Sequence, residues 1–152
     1  MATETASNLC RNRNGDFNRE DFLLRSCADC YGHLFPLDRR LRPNGTDLVW
    51  RTGVADPIHF PADFQNESVL QIVCSKLKPD ECLRWTACCV SSEICCERQL
   101  LADNKPSDIT CPATWDGYGC WNYAQPGTEM SIECPAFIPY AMPNGIFYYF
   151  SL

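Results

Sequence analysis

The sequence is poor in the residues and motifs on which catalysis and cofactor binding depend. It contains two histidines, His33 and His59, and neither lies in a nucleophile motif. His33 follows Cys27 by six residues in a polar stretch, and this spacing defines no geometry for a thiol and imidazole pair. No glycine-rich phosphate loop is present. We therefore expect that the protein is not an enzyme and that it needs no cofactor.

The spacing of the cysteines does not favour a metal site. Cys27 and Cys30 form one C-x-x-C motif, but no second one follows to complete a zinc tetrahedron. The adjacent pairs Cys88-Cys89 and Cys95-Cys96 are poor zinc spacing. A thioredoxin-like role for the motif is disfavoured because polar residues precede it where an apolar strand should lie. A cytosolic zinc module stays open, but it ranks behind the interpretations in which the cysteines form disulfides.

The sequence also lacks long hydrophobic runs. The longest, Ile146 to Phe150, has five residues, whereas a membrane-spanning helix needs about 20. The first residues, MATETASNLC, show no basic start followed by an apolar run, so no secretory signal peptide is visible. We expect that the chain as written is soluble and that its true beginning is missing.

Cysteine, by contrast, is abundant. Twelve cysteines occur among 152 residues, and a content of about 8% favours a disulfide scaffold in an oxidising compartment. Two acceptor patterns for N-glycosylation, at Asn44 and Asn66, also favour an extracellular protein. The net charge of −6 and the lack of a sustained basic face argue against nucleic acid as a partner.

The chain divides by pattern into two parts. Residues 1–79 are polar and broken, and we expect an irregular, cysteine-containing segment with little regular structure in residues 1–60, where Arg39 to Gly45 reads as a basic loop. A helix is predicted from about Asp80 to Leu101. Two apolar stripes follow its period. One stripe contains Cys82, Trp85, Cys89 and Cys96, and the other contains Leu83, Ala87, Val90 and Ile94.

The residues that follow this helix carry a specific motif. From Cys95 through Cys111, Cys120 and Cys134, successive cysteines lie 16, 9 and 14 residues apart. Trp121 follows the third cysteine, Pro135 follows the fourth, and Asp116 precedes the third by four residues. In these features residues 80–152 resemble the extracellular hormone-receptor motif of class B (secretin-family) G-protein-coupled receptors. Cys96 could replace Cys95 as the first cysteine.

The resemblance implies a small, disulfide-rich α+β fold in which an N-terminal helix is stapled to short antiparallel β-hairpins. It implies a disulfide from Cys95 or Cys96 to Cys120, and a core role for Asp116, Trp121 and Pro135, with the Asp116 carboxylate hydrogen-bonded. A core this small depends on such links, each of which contributes about 2–4 kcal/mol.

The resemblance also implies a ligand and a location. Family members bind peptides that enter as amphipathic helices between the N-terminal helix and the loops around the third and fourth cysteines. The positions that match this site are Trp85, Tyr118, Phe137, Ile138, Pro139 and Tyr140. We expect a peptide hormone or neuropeptide as partner, signalling through a heterotrimeric G protein, and a plasma-membrane protein whose extracellular side contains this chain. The acidic net charge favours a basic peptide.

The chain departs from the family pattern in two ways. It stops at Leu152, one position before the fifth motif cysteine is expected, so Cys111 and Cys134 lack their family partners. The turn signal at Pro143-Asn144-Gly145 predicts that Ile146 to Phe150 is a strand, and this strand is expected to lack a neighbour. Seven further cysteines suggest an extended ectodomain with extra bridges, as in an invertebrate neuropeptide receptor; they are Cys10, Cys27, Cys30, Cys74, Cys82, Cys88 and Cys89. The alternative is a truncated soluble or secreted cysteine-rich protein that sequesters the peptide.

Overall fold

The computed structural model describes residues 8–101 and 110–138 and, for the backbone alone, the strand at 146–150. These residues form an α+β fold in which short sheets surround a pair of packed helices. In chain order the elements are β1 (Leu9–Asn12), β2 (Gly15–Asn18), α1 (Arg19–Leu34), β3 (Leu41–Asn44), β4 (Asp47–Trp50), β5 (Ile58–Phe60), α2 (Glu67–Cys74), α3 (Pro79–Leu101), β6 (Thr114–Trp115), β7 (Cys120–Trp121), β8 (Glu129–Glu133) and β9 (Ile146–Phe150).

A β-hairpin leads directly into the first helix. β1 pairs with β2 in antiparallel register, from Leu9 opposite Asn18 to Asn12 opposite Gly15. The Asn18 side chain then accepts a hydrogen bond from the backbone N–H of Asp21 at 2.8 Å. This bond satisfies one of the unpaired amides of the first helical turn, so α1 begins at the next residue, Arg19.

A three-stranded antiparallel sheet, in the order β3-β4-β5, packs on α1. Trp50 of β4 contacts Tyr31 of α1 edge to face, with 5.9 Å between the ring centroids. The Tyr31 hydroxyl donates a hydrogen bond to Asp38 at 2.7 Å, and Arg40 forms an ion pair with the same carboxylate. The connection between α1 and β3 is therefore held against the buried face of α1 by the contact of Asp38 with Tyr31.

These contacts change the acidity of the groups involved. Burial, together with the hydrogen bond to Asp38, raises the pKa of Tyr31. The hydrogen bond from Arg40 is the main reason that the pKa of Asp38 falls to about 2. Asp38 is consequently a carboxylate at any pH near neutrality, and its pairing stabilises the fold there.

The expectation of little regular structure in residues 1–60 is wrong, since the described part of this segment contains a helix and five strands. Leu41–Asn44, which was read as part of a basic loop, is strand β3, and the chain turns after it at Gly45 with a φ of 61°. Each strand here has three or four residues, which is too short to display an alternating pattern. The buried face of α1 includes cysteines whose burial depends on distant partners rather than on hydrophobic periodicity.

The long helix α3 lies at the centre of the molecule. It begins at Pro79, one residue before the predicted start. Proline suits the first helical position because the amide it lacks would be unpaired there. The Glu81 side chain accepts a hydrogen bond from the Lys78 backbone N–H at 2.8 Å, which completes the start of the helix.

Disulfides join α3 to four other elements. Among the described residues, α1 is bonded to α3 twice, and β1, α2 and β7 are each bonded to it once. The pairs are Cys10–Cys96, Cys27–Cys89, Cys30–Cys88, Cys74–Cys82 and Cys95–Cys120. The first four cross the predicted boundary between residues 79 and 80, so the two predicted parts of the chain are covalently joined.

The hairpin β6-β7 is continued by the N-terminal hairpin in one four-stranded sheet of order β2-β1-β6-β7. β1 and β6 pair in parallel, with Asn12 opposite Trp115. The Gln99 side chain of α3 bonds both backbone groups of Arg11, accepting from its N–H at 2.6 Å and donating to its C=O at 3.1 Å. Strand β1 is thus built into a sheet with strand β6, which lies more than a hundred positions later in the sequence.

The predicted strand at Ile146–Phe150 is present as β9. Its neighbour is β8, with which it pairs in antiparallel register from Glu129 opposite Phe150 to Glu133 opposite Ile146. The strand therefore has a partner within this chain, contrary to expectation, and the turn predicted at residues 143–145 lies outside the described residues. The α+β class, with a helix stapled by a disulfide to a short antiparallel hairpin, is confirmed.

Candidate functional site

α3 has two apolar stripes, and only one of them is buried. Trp85 lies on the buried stripe, with 0% of its surface exposed. Its indole N–H donates a hydrogen bond to the backbone C=O of Cys27 in α1 at 3.1 Å. The prediction that Trp85 closes a ligand groove is therefore corrected, because the cysteines on its side of the helix draw that face against α1.

The second stripe faces solvent. Leu83, Val90 and Ile94 expose 70%, 39% and 44% of their surfaces, and Ala87 between them is also exposed. These four residues follow one another at helical spacing, so they form a continuous row along one side of α3. We call this row the α3 stripe. The periodicity of the sequence predicts both stripes. Which of them faces solvent is determined by the disulfide pairing, which the sequence does not reveal.

A tight turn between β6 and β7 lies beside the C-terminal half of α3, and Asp116 orders it. One oxygen of its carboxylate accepts hydrogen bonds from the backbone N–H groups of Tyr118 and Gly119 at 2.8 and 2.7 Å. The other oxygen accepts one from the indole N–H of Trp121 at 2.8 Å. A single carboxylate thereby fixes both the backbone of the turn and the buried indole next to it.

The turn is attached to α3 by a covalent bond. Cys120, the first residue of β7, is bonded to Cys95 of α3, whereas Cys96 is bonded to Cys10. Cys95 is completely buried beside the exposed Ile94. The link consequently holds the turn at the level of the last residues of the α3 stripe.

A cavity of about 310 Å³ lies between α3 and this turn, and we call it the groove. Ile94 of the α3 stripe forms part of one wall. The groove is lined by Ser91, Ile94, Cys95, Arg98, Trp115, Tyr118, Gly119, Cys120, Ile132, Glu133, Pro135 and Phe137. Because most of these side chains are apolar or aromatic while one cation and one carboxylate lie among them, the groove suits an amphipathic ligand.

Four of the six residues predicted to contact a ligand have described side chains. Tyr118 lines the groove and is 37% exposed, and Phe137 lines it from a buried position. Ile138 is partly buried against the core, and Trp85 belongs to the core itself. Pro139 and Tyr140 lie outside the described residues.

The remaining predicted residues have structural or surface positions. Trp121 is buried, and Pro135 is half-buried at the edge of the groove. Cys111 and Cys134 are half-buried and are not bonded to any described cysteine. Asn44 is exposed at the end of β3, and the exposed Asn66 caps α2 through its Oδ1, which accepts from the Ser68 N–H at 2.9 Å.

The histidine of α1 has a position that sequence reasoning missed. The His33 ring is stacked on the Tyr118 ring, with 4.7 Å between centroids and 16° between planes. The two residues are 85 positions apart in the sequence, and no local pattern signals their contact. The spacing of the α3 stripe, in contrast, is visible in the sequence, although the sequence does not decide which stripe is exposed.

The described residues offer neither a metal-binding group nor a membrane-spanning helix. They contain no group of three or more His, Cys, Asp or Glu side chains arranged to hold a metal ion. None of their helices combines the length and the hydrophobicity that a membrane span requires.

Part of the chain is similar to known proteins. Residues 108–150 match the family model of the hormone receptor domain. The receptor seb-2 of Caenorhabditis elegans, a G-protein coupled receptor, is 29% identical over 85% of this chain and 32% of its own length. No solved structure matches the chain.

Vertebrate relatives match a shorter stretch. The gastric inhibitory polypeptide receptor of Rattus norvegicus is 36% identical over 30% of this chain, and the human glucagon-like peptide 2 receptor is 42% identical over the same share. The chain covers 10% and 8% of these two receptors, about a tenth of their length. Residues 108–150 thus match the hormone receptor domain, and the chain is similar in sequence to these receptors.

Proposed function

We propose that the groove binds the apolar face of a helical peptide hormone or neuropeptide, and that the chain is the extracellular ligand-capturing part of a class B G-protein-coupled receptor. The observation that carries the proposal is the apolar cavity of about 310 Å³ that continues into the exposed α3 stripe. A helical peptide presents apolar side chains at the same three- and four-residue spacing as the stripe.

The dimensions of the site suit this mode of binding. The α3 stripe extends over twelve residues, from Leu83 to Ile94, and with a rise of about 1.5 Å between successive residues it is roughly 16 Å long. That length matches about three turns of a docked helix. Tyr118 and Phe137 stand at the end of the stripe, and large aromatic side chains of this kind dominate the energy of such interfaces.

The charges of the protein favour a ligand with basic residues. Arg98 and Glu133 both line the groove, and the described residues contain no ion pair between them. The protein as a whole has a net charge of −6. A peptide with basic residues outside its apolar face would therefore be attracted in a salt-dependent way.

The proposal extends to the cellular context of the whole receptor. The chain would lie on the extracellular side of the plasma membrane, with glycans on Asn44 and Asn66, both of which are exposed. Peptide captured in the groove would be presented to a membrane domain that activates a heterotrimeric G protein. Five disulfides among the described residues agree with an oxidising environment.

The test is direct peptide binding to the folded, oxidised chain. The probes are gastric inhibitory polypeptide and glucagon-like peptide 2, which the names of the vertebrate relatives supply. Calorimetry would give the affinity of each. Substituting Ile94→Glu places a charge on an exposed groove residue, and we expect it to weaken binding about 10- to 100-fold because burial of an isoleucine is worth about 1.5–3 kcal/mol.

The matched control is Leu37→Glu, since Leu37 is 99% exposed and does not line the groove. It makes the same chemical change at a remote site, and we expect binding like that of the unaltered chain. If no peptide of the panel binds, or if both variants weaken binding equally, the groove is not the ligand site.

A further inference from the structure

The contact between His33 and Tyr118 joins the groove to a part of the chain outside the matched family domain. His33 is in the last turn of α1, whereas the family model matches residues 108–150. The two rings are nearly parallel, at 16°, and their centroids are 4.7 Å apart. Such an offset stack contributes beyond the area that it buries.

The His33 ring is held in place by its surroundings. Its Nε2 lies 2.7 Å from a guanidinium nitrogen of Arg13. On the side of the turn, Gly117 has a φ of +98°, and a Cβ at this position would meet the imidazole Cε1 at 2.5 Å. Only glycine leaves room for the ring to approach the turn this closely. The imidazole therefore fits between the Arg13 side chain and the turn that carries Tyr118.

The helix that carries His33 is itself fixed relative to the groove. Cys30, one turn before His33, is bonded to Cys88 of α3, and both cysteines are buried. α3 also supplies Ile94 to the groove. The imidazole and the opposite wall of the groove thus belong to one cross-linked pair of helices.

We propose that His33 is a positioning residue of the ligand site: it supports the Tyr118 ring in the orientation that lines the groove. This inference rests on the proposed function. Tyr118 is 37% exposed and would otherwise be free to change rotamer, so ligand binding would have to immobilise it. The N-terminal segment of the chain consequently contributes to ligand affinity without touching the ligand.

The test compares two substitutions of His33 in the complete chain. His33→Ala removes the stacking ring, and His33→Phe restores a ring without the imidazole nitrogens. His59→Ala is the matched control, since His59 is exposed on β5 and does not line the groove. The first readout is the NMR chemical shift of the Tyr118 ring, assigned with Tyr118→Phe, which reports the stack without any ligand. The second is the affinity for the two peptides named above.

We expect His33→Ala to shift the Tyr118 ring resonances and to weaken peptide binding about 2- to 10-fold. His33→Phe should restore both, and His59→Ala should change neither. Unchanged Tyr118 resonances in His33→Ala would overturn the proposal. So would moved resonances with unaltered affinity, or a failure of phenylalanine to rescue binding.

Two further arms keep the outcomes separate. If no peptide binds the unaltered chain, the proposed function loses its support, while the ring resonances still decide whether His33 holds Tyr118. If His33→Ala does not fold, His33→Leu replaces it, because leucine fills the volume without offering a ring to stack on. Comparing His33→Leu with His33→Phe in the same two readouts then decides whether the ring at position 33 supports Tyr118.

Discussion

Replacing Asp116 should destabilise the turn that forms one wall of the groove. The carboxylate accepts three hydrogen bonds, from the N–H groups of Tyr118 and Gly119 and from the indole of Trp121. Asp116→Ala removes both acceptor oxygens and with them all three bonds. The indole belongs to a side chain that is 8% exposed, so its N–H would be left without this partner in a largely buried position.

The expected cost follows from the solvent exposure of the three donors. Hydrogen bonds to charged groups contribute about 1.5–3 kcal/mol when buried, and exposed ones contribute less. The Tyr118 bond is exposed, whereas the other two are partly buried. We therefore expect Asp116→Ala to lower the free energy of unfolding by about 2–4 kcal/mol. Asp116→Asn can keep the two backbone bonds, but it turns an NH₂ group toward the indole N–H and should cost about 1–3 kcal/mol.

A double-mutant cycle isolates the bond to the indole. In a Trp121→Phe background no indole N–H remains, so Asp116→Asn should cost less than it does in the unaltered chain, by about 1–3 kcal/mol. The assay is denaturant unfolding under oxidising conditions, followed by circular dichroism. Additive effects of the two substitutions, or a cost below about 0.5 kcal/mol for Asp116→Ala, would refute this reasoning.

Two other contacts give measurable predictions. Because the pKa of Asp38 in the folded protein, about 2, lies below its ordinary value of 3.8, its stabilising effect is complete above pH 3.8 and is lost as the pH falls through 2. Asp38→Asn should thus cost about 1–2 kcal/mol at pH 7, and the difference from the unaltered chain in unfolding free energy should shrink between about pH 4 and pH 2; a difference that does not change with pH would contradict this. Gln99→Ala should speed hydrogen exchange of the Arg11 amide about 10-fold or more, since its side-chain acceptor is lost. Gln99→Glu keeps the acceptor and should preserve protection, and equal exchange rates in all three proteins would refute the role of Gln99.

The sequence predicted the central helix and the last strand well. Asp80 to Leu101 was predicted as helical and Pro79–Leu101 is helical, because the apolar period there is long and its ends carry suitable charges. Ile146 to Phe150 was also predicted correctly as a strand, since its aromatic and β-branched residues are typical of one.

Other features depended on contacts that are remote in sequence. Asn12 pairs with Trp115 across a hundred residues, and no local pattern specifies that register. The same holds for the exposed face of α3: Trp85 and Ile94 belong to stripes of similar hydrophobicity, and the disulfides of the neighbouring cysteines decide which stripe is buried. Pairing among many cysteines cannot be derived from one sequence.

The most direct test of the account is disulfide mapping of the oxidised chain by peptide mass spectrometry without reduction. Fragmentation by electron transfer can separate the adjacent Cys95 and Cys96. The account predicts that Cys120 is bonded to Cys95 and that Cys96 is bonded to Cys10. A reduced Cys120, or a bond from Cys120 to Cys111 or Cys134, would contradict it, because the turn that carries Tyr118 would no longer be fixed against α3.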